Sequence, residues 1–401
     1  MIDFEQARAL VAQGCPALPG ERVPIGDALG RVCAEDVAAR VSSPPADLSA
    51  MDGFAVREAD AQEGNSLAIV GESRAGNPFA GTIASGEAVA VSTGAHIPSG
   101  AERVVIVEDV RCEGRMLQIA VAQPGGTNIR PAGMDFTKGE VLVRRGERLT
   151  RARLGIAACG GHAWIAAYGR PRVAIATNGD ELIDPGSEPA ATSIYDSNSV
   201  ALRAQFAQFG AEADWIGRAG DSRDSVREML DRGDGADLLV VAGGASVGPH
   251  DLVKPVFEEL GGTLTFSKVA LRPGKPVWFG SLPSGTRVLG LPGNAVSAYV
   301  TALLFGRLAV DCLSGVSAPR SLDDALRPAL SAEALPANGP RDAFERATLE
   351  YRDDGTTRIA PAPSQDSSLL RPLAAADALL FRKANAPAVA AGAPVSYLPI
   401  G

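Results

Sequence analysis

From about residue 169 onward, short apolar runs alternate with amphipathic segments, and this alternation constrains the fold more than any other feature of the sequence. RVAIAT (172–177) and ADLLVVAGG (236–244) are typical of parallel strands that are buried on both faces. Between them, SNSVALRAQFAQFG and DSRDSVREMLDR place apolar side chains on one face of a helix. The alternation predicts a mostly parallel sheet covered by helices.

The same reading continues to about residue 317. A helix (DLVKPVFEELGG), three strand-like runs (TLTFSKVAL, KPVWFGSL, TRVLGL) and a long apolar helix at 295–313 complete the α/β domain, which we place at residues 170–317. Residues 1–169 form an N-terminal region, beginning with a short helix and containing a β-rich insertion at about 45–148. Residues 318–401 return to short β-type pieces with prolines and predict a small β-barrel or sandwich.

Composition excludes several classes of protein. The 401 residues carry 38 Lys and Arg against 47 Asp and Glu, so the net charge of −9 argues against bulk nucleic-acid binding. Three histidines, and five cysteines without a CxxC pair, argue against a zinc site or disulfide framework and suit a reducing cytoplasm. The first residues lack the apolar core of a signal peptide, and no uninterrupted apolar run of about 18 residues predicts a membrane span.

Glycine-rich turns follow the predicted strands, whereas the Walker A, dinucleotide-binding and hydrolase-elbow motifs are absent from the sequence. After LLVVA come Gly243, Gly244 and Ser246, and then Asp251. Such a turn can present backbone N–H groups to an anion at the ligand-binding edge of an open sheet. An ordinary left-handed turn, with Asp251 capping the next helix, is an equally simple interpretation.

A second turn, Pro292 to Asn294, opens the long helix, and Asn294 there is typical of an ordinary N-cap. Lys268, Arg272 and Lys275 surround a further turn, LRPGKP. This cluster suits an anion, although solvated surface charge would explain it too.

Three carboxylates also follow predicted strands. Glu181, Asp221 and Asp251 each lie at the carboxyl end of a strand, and together they form a plausible set of oxygen ligands for Mg²⁺. Taken singly, each residue is more typical of a cap. In the β-rich region, turns containing Asp52, Thr93 and Asp135 carry little functional signal by spacing alone.

Eight motifs occur in an order found in one family: SAMDGFAV, STGAHIP, NIRPAGMDF, TNGDEL, IYDSN, GGASVGPHD, LRPGKP and LPGNAVS. With them the chain resembles, over nearly its whole length, the MoeA family of molybdenum insertases, whose relatives include the E domain of gephyrin. The resemblance implies a MoaB/MogA-like α/β domain and a C-terminal β-barrel. It also implies a homodimer whose active site lies between the α/β domain of one subunit and the N-terminal β region of the other. The implied substrates are adenylylated molybdopterin and molybdate, the product is AMP, the cofactor is Mg²⁺, and a molybdopterin adenylyltransferase is a possible partner.

The resemblance implies roles for individual residues. Asp221, Asp251 and Glu181 match the nucleotide–Mg²⁺ site, and Lys268 matches a basic catalytic position. The substrate pocket is matched by two sets, the loop residues Gly243, Gly244, Pro292 and Asn294 and the oxyanion-binding residues Ser246, Arg272, Lys275, Arg346 and Ser367. Asp52, Thr93 and Asp135 match catalytic residues that face the pocket.

The sequence departs from the family pattern at Leu48, Met134, Asn178, Arg272 and Ala295, and none of these changes removes a catalytic carboxylate. Arg272 keeps the charge of the more frequent lysine with a different geometry. Three alternatives stay open: a molybdopterin adenylyltransferase, a non-catalytic gephyrin-like scaffold and a tungstate-selective paralogue.

Overall fold

The computed structural model describes residues 1–244, 251–317 and 321–400. Ser246, which the sequence placed in the glycine-rich turn, lies outside the described residues.

The first helix, α1 (Phe4–Gly14), belongs to the core of the α/β domain. Its buried Phe4, Ala7 and Val11 pack in one cluster with strand residues such as Ile175. The Asp3 side chain caps the helix by accepting a hydrogen bond from the Gln6 backbone N–H at 2.7 Å. The predicted boundary at residue 169 therefore divides the sequence but not the packing, because α1 precedes the boundary and yet belongs to the α/β core.

The N-terminal region is rich in β-structure, as predicted. Strands β1 and β12 pair antiparallel, as do β2 and β11 and β3 and β10, and the remaining strands form a six-stranded sheet in the order β7-β4-β6-β5-β9-β8. One helix, α2, precedes β12. The elements are β1 (Gly20–Pro24), β2 (Val37–Ala38), β3 (Leu48–Ser49), β4 (Gly53–Val56), β5 (Ser66–Ser73), β6 (Glu87–Val91), β7 (Arg103–Ile106), β8 (Val110–Glu113), β9 (Met116–Ile119), β10 (Ile129–Arg130), β11 (Val141–Val143), α2 (Arg151–Cys159) and β12 (Trp164–Tyr168).

The α/β domain contains the predicted, mostly parallel sheet. Its strand order is β16-β13-β17-β21-β20-β18, in which the first four are mutually parallel and β20 runs antiparallel to both neighbours. All five residues of the central strand β17 are buried, as its continuous apolar run predicts. The elements are β13 (Arg172–Asn178), β14 (Leu182–Ile183), β15 (Ile194–Tyr195), α3 (Ser197–Phe209), β16 (Glu212–Ala219), α4 (Arg223–Gly233), β17 (Leu238–Ala242), α5 (Val253–Glu259), β18 (Thr263–Phe266), β19 (Leu271–Arg272), β20 (Trp278–Ser281), β21 (Arg287–Leu291), α6 (Ala295–Thr301) and α7 (Arg307–Leu313).

The last two helices form the long apolar helix that the sequence predicts. A π-helical turn, Ala302–Gly306, joins α6 to α7 without a break. By length and mean hydropathy (1.5) this one helix could cross a membrane, although no uninterrupted apolar run marks it. Because 72% of its most apolar window is buried inside the protein, it is accounted for as a core helix.

The C-terminal region is a closed five-stranded barrel. Its strands follow one another around the barrel as β23-β24-β22-β26-β25, and β25 pairs again with β23. Strand β19 of the preceding domain extends this sheet by pairing with β23, which the sequence had not indicated. The elements are α8 (Leu322–Ala325), β22 (Arg327–Ser331), β23 (Asp342–Tyr351), β24 (Thr357–Pro361), α9 (Leu370–Ala374), β25 (Ala378–Arg382) and β26 (Pro394–Pro399).

Candidate active site

A cavity of about 900 Å³ lies at the carboxyl edge of the parallel sheet, and we call it the sheet-edge cavity. The turns after β13, β16, β17 and β21 all reach it, because parallel strands end at the same edge. Seven of the residues proposed from the sequence line it: Glu181, Asp221, Gly243, Gly244, Asp251, Pro292 and Asn294.

The turn after β17 accepts only glycine without rearrangement. Gly243 has φ +103°, and a Cβ there would lie 2.4 Å from the backbone oxygen of Asn178. Gly244 has φ +59°, and a Cβ there would lie 2.3 Å from Cγ2 of Val253. The backbone therefore passes closely between the end of β13 and the start of α5, and the Gly243 N–H donates to the Leu291 backbone oxygen at 3.1 Å.

Asn178 connects the first two acidic turns. Its Nδ2 donates to Asp221 Oδ1 at 3.3 Å and to the backbone oxygens of Ala219 and Gly220, both at 3.2 Å. Asp180 Oδ1 in turn accepts a hydrogen bond from the Asp221 backbone N–H at 3.0 Å. The departure at Asn178 therefore has a structural role, since its amide orients the Asp221 carboxylate.

The turn before α6 is held by two side chains from other elements. Asn198, at the start of α3, donates from Nδ2 to the Gly293 backbone oxygen at 2.8 Å. Asn294 occupies the N-cap position of α6, as expected, but its side chain makes no capping hydrogen bond and instead donates from Nδ2 to Ser367 Oγ at 2.9 Å. Ser367 also accepts from the Val296 backbone N–H, so the loop before α9 docks on the start of α6.

Asp251 precedes α5 but does not occupy its N-cap position, which Leu252 takes without a side-chain capping bond. Nearby, burial lowers the pKa of the half-buried Lys254 ammonium, Asp251 raises this pKa and Lys268 lowers it further. Lys254 is a cation beside the proposed acid that sequence reasoning missed. Its place in the first turn of a helix gave no signal.

The basic turn lies beside the sheet-edge cavity. Pro276 lines the cavity, whereas its neighbour Lys275 is exposed. Arg272 is also exposed and forms an ion pair with Glu345 of β23. Lys268 is half-buried, and its backbone oxygen accepts a hydrogen bond from the Ile2 N–H at 3.1 Å.

Arg346 is almost completely buried, at 1% exposure, and holds the loop that carries Ser367. Its Nη1 donates to the Leu369 backbone oxygen at 2.8 Å, and its Nη2 donates to those of Ser364 and Asp366, both at 3.0 Å. Burial lowers the pKa of this guanidinium, and the nearby Asp366 carboxylate raises it. In this arrangement Arg346 positions the loop.

The three predicted residues of the β-rich region do not line the sheet-edge cavity, and they lie in or against one segment, residues 43–52. Asp52 Oδ1 accepts a hydrogen bond from the Thr93 backbone N–H at 2.7 Å, so these two residues are in contact. Asp135 lies at the other end of the segment, where its backbone N–H donates to Ser43 O at 2.9 Å. All three are exposed.

Further polar residues that the sequence did not assign also line the sheet-edge cavity, among them Asp196 and Asn198. Asp196 is buried, at 1% exposure, and accepts from Thr177 Oγ1 at 2.7 Å and from the Ser199 backbone N–H at 3.0 Å. The IYDSN motif contains both residues, so the signal was present, but spacing alone gave them no role. Among residues 1–244, 251–317 and 321–400, no three His, Cys, Asp or Glu side chains form a preorganised metal cage.

Three family models match the chain in succession. Residues 2–161 match the MoeA N-terminal region (domain I and II), residues 174–311 a probable molybdopterin binding domain, and residues 328–400 the MoeA C-terminal region (domain IV). These matches, with the fold and the polar sheet edge, define a three-part protein of the molybdopterin-binding class.

Similar proteins of known name identify the family within this class. Molybdopterin molybdenumtransferase 2 of Mycobacterium tuberculosis is 34% identical over 409 residues, which cover 98% of each protein. Molybdopterin molybdenumtransferase of Haemophilus influenzae is 35% identical over 305 residues, 75% of each. The crystal structure of the molybdopterin biosynthesis MoeA protein from Pyrococcus horikoshii superposes over the full length of both chains, with a TM-score of 0.83 and 26% identity. The chain belongs to the MoeA family.

Proposed function

We propose that this chain is a molybdopterin molybdenumtransferase, which inserts molybdate into adenylylated molybdopterin and releases AMP. The observation that carries the proposal is the sheet-edge cavity, where acidic and glycine-rich turns from four parallel strands meet in a chain of the MoeA family. Molybdate and the nucleotide phosphates are anions, so the basic turn beside this cavity supplies the charge they require.

The cavity lining itself is acidic. Glu181, Asp196, Asp221 and Asp251 contribute carboxylates to it, and these would repel an anionic substrate unless a cation joined them. Mg²⁺ is commonly held by one or two carboxylates together with substrate phosphates, so the oxygen donors present fit this ion. Asp221, Asp251 and Glu181 would hold it, and when bound it would offset charge on the phosphates.

The chain's own groups have distinct roles in this proposal. The Gly244 backbone N–H binds the phosphates, the Gly243 N–H holds the turn by donating to the Leu291 backbone oxygen, and Asn178 keeps the Asp221 carboxylate oriented. Lys268, Arg272, Lys275 and Ser246 bind the oxyanion together with Ser367, whose loop Arg346 and Asn294 hold in place. Pro292 shapes the turn against the cavity.

The decisive experiment incubates the purified protein with adenylylated molybdopterin, molybdate and Mg²⁺. We expect AMP release together with formation of active cofactor. ATP-dependent adenylylation of molybdopterin without AMP release from the adenylylated substrate would instead identify an adenylyltransferase. Binding without turnover would identify a scaffold, and a parallel reaction with tungstate would reveal a tungstate-selective enzyme.

A matched pair of variants tests the acidic site. Asp251→Ala should fold normally and lose turnover, whereas Asp231→Ala, at an exposed position of α4 in the same domain, should behave as wild type. Full turnover by Asp251→Ala would remove this residue from the mechanism.

We further propose that the protein is a cytoplasmic homodimer in which Asp52, Thr93 and Asp135 of one subunit complete the cavity of the other. Their exposure and their absence from the cavity lining within one chain support this arrangement. Co-expressed Asp52→Asn and Asp251→Asn chains should then regain about a quarter of wild-type activity, since half the dimers carry one intact site of two. Recovery of no activity would contradict shared sites, and Asp52→Asn alone should be inactive.

A docking interaction with a molybdopterin adenylyltransferase would allow direct transfer of the substrate. Pull-down of the adenylyltransferase from the same organism, with and without molybdopterin, tests this partner.

A further inference from the structure

A second polar cavity lies away from the sheet edge, where α1, α7, the N-terminal region and the barrel meet. Its volume is about 560 Å³, and four arginines line it: Arg8, Arg148, Arg307 and Arg327. Asp311 is the single carboxylate in its described lining. We call it the arginine cavity.

Two of these arginines already form ion pairs with a carboxylate of the protein, that of Asp311. Arg148 Nη2 contacts Asp311 Oδ1 at 2.8 Å, and Arg307 Nε lies 3.7 Å from Asp311 Oδ2. Burial raises the pKa of Asp311, whereas Arg307 and Arg148 lower it. A single carboxylate therefore offsets part of the charge of two arginines.

The remaining two arginines belong to different elements of the fold. Arg8, on α1, donates from Nη1 to the Leu304 backbone oxygen at 3.1 Å, and burial lowers its pKa while Glu5 raises it. Arg327, on β22, donates from Nη1 to the backbone oxygens of Asp324 and Leu326. Within the described part of the chain, Nη1 and Nη2 of Arg307 and Nε and Nη2 of Arg327 make no hydrogen bond. These donors remain for a ligand.

Apolar side chains form the rest of the wall, including Leu303, Leu308, Leu322 and Leu398. The volume is far larger than an inorganic oxyanion needs. Guanidinium groups match phosphate oxygens in geometry and charge, and the leucines suit an apolar body attached to the phosphate.

We propose that the arginine cavity binds a small organic phosphate, with the phosphate among the arginines and the organic part against the leucines. The ligand would touch Arg148 of the N-terminal region, α1 and α7 of the α/β core, and the barrel, and would therefore tie the three parts of the chain to one another. The proposal is independent of the molybdenum chemistry at the sheet edge.

The test uses phenyl phosphate as the probe, with inorganic phosphate and phenol as comparisons. Calorimetry measures affinity, and hydrogen–deuterium exchange locates the ligand. We expect protection of residues 303–313 and 321–327, with phenyl phosphate binding more tightly than phosphate and phenol not binding. Equal affinity for inorganic phosphate would overturn the assignment of an organic ligand.

Two variants make the test specific. Arg307→Gln/Arg327→Gln should weaken phenyl phosphate binding roughly tenfold or more, because hydrogen bonds to charged groups are lost. Ala325→Glu adds a carboxylate to the cavity wall and should have the same effect without loss of folding. Arg74→Gln is the control, since Arg74 is an exposed arginine paired with Glu72 in the β-rich region.

Several outcomes would overturn the proposal. They are the absence of phenyl phosphate binding, unchanged affinity in both cavity variants, or protection confined to residues 178–181 and 291–296 at the sheet edge. The last result would not contradict the proposed molybdenum chemistry. Conversely, a wild-type protein that releases no AMP would not contradict the proposal for the arginine cavity.

Discussion

Replacing Arg346 by lysine tests whether this residue positions a loop or binds substrate directly. The guanidinium is buried and donates to three backbone oxygens of residues 364–369, with a longer contact from Nε to Gln365 Oε1 at 3.4 Å. A lysine keeps the positive charge, but its single nitrogen cannot reach acceptors arranged around a planar group.

The expected loss of stability follows from the backbone oxygens that would lose their hydrogen-bond donor. Each buried polar group without a partner costs about 1–3 kcal/mol, so the loss of the donor to two carbonyl oxygens should lower the free energy of unfolding by about 2–6 kcal/mol. Because Ser367 lies on this loop, the KM for molybdate should rise in the same variant. Urea unfolding, hydrogen exchange of residues 364–370 and the kinetics of AMP release measure the three effects.

Arg382→Lys is the matched control. Arg382 is also buried in the barrel and donates from Nη2 to the backbone oxygens of Pro336 at 3.1 Å and Pro387 at 2.7 Å. This variant should lose stability while its KM stays at the wild-type value. If Arg346→Lys unfolds at the wild-type urea concentration but binds molybdate poorly, the positioning role is refuted and a direct contact with substrate takes its place.

Three other expectations are open to measurement. Gly243→Ala should lose about 1–3 kcal/mol more stability than Gly235→Ala. Both positions have positive φ, but only a Cβ at residue 243 would meet a backbone oxygen, at 2.4 Å. Equal losses of stability in urea unfolding would contradict this prediction. The exposed Cys112 thiol should react quickly with a disulfide reagent at neutral pH. The half-buried Cys312, whose pKa burial raises to about 11, should react far more slowly, and similar native-state rates would disprove the assignment. Hydrogen bonds from two neighbouring hydroxyls lower the pKa of Asp234 below its ordinary 3.8, so its stabilising effect is complete above that pH and is lost as the pH falls below it. The stability of Asp234→Asn should therefore fall less than that of the wild type as the pH is lowered, as measured by urea unfolding at several pH values. The same dependence of stability on pH in both proteins would contradict this prediction.

The sequence predicted those parts of the fold that depend on local pattern. The run 172–177 became β13 because a strand covered on both faces must be apolar throughout, and α3 has Leu202, Phe206 and Phe209 buried as their helical spacing requires. The sheet-edge cavity followed from topology, since parallel strands bring Glu181, Asp221 and Asp251 to one edge.

Contacts between distant parts of the chain could not be predicted. The packing of Phe4 in the α/β core and the bond from Asn294 to Ser367 join residues that are far apart in sequence, and no local pattern encodes them. A buried arginine such as Arg346 has the same sequence signature as an exposed one, so its hydrogen bonds to the loop became visible only in three dimensions. The proposed roles of the site residues stay predictions until they are assayed.

The two-residue ladder between β19 and β23 has a consequence for synthesis of the chain. Leu271 and Arg272 leave the ribosome long before their partners Asp342 and Ala343, so the nascent α/β domain displays an unpaired edge beside its basic turn until the barrel emerges. The barrel then assembles on a strand that is already in place. A chain that ends at residue 317 would keep every strand of the parallel sheet and yet lack the support of this turn. The last fifth of the protein, although synthesised last, therefore completes the surface of the α/β domain.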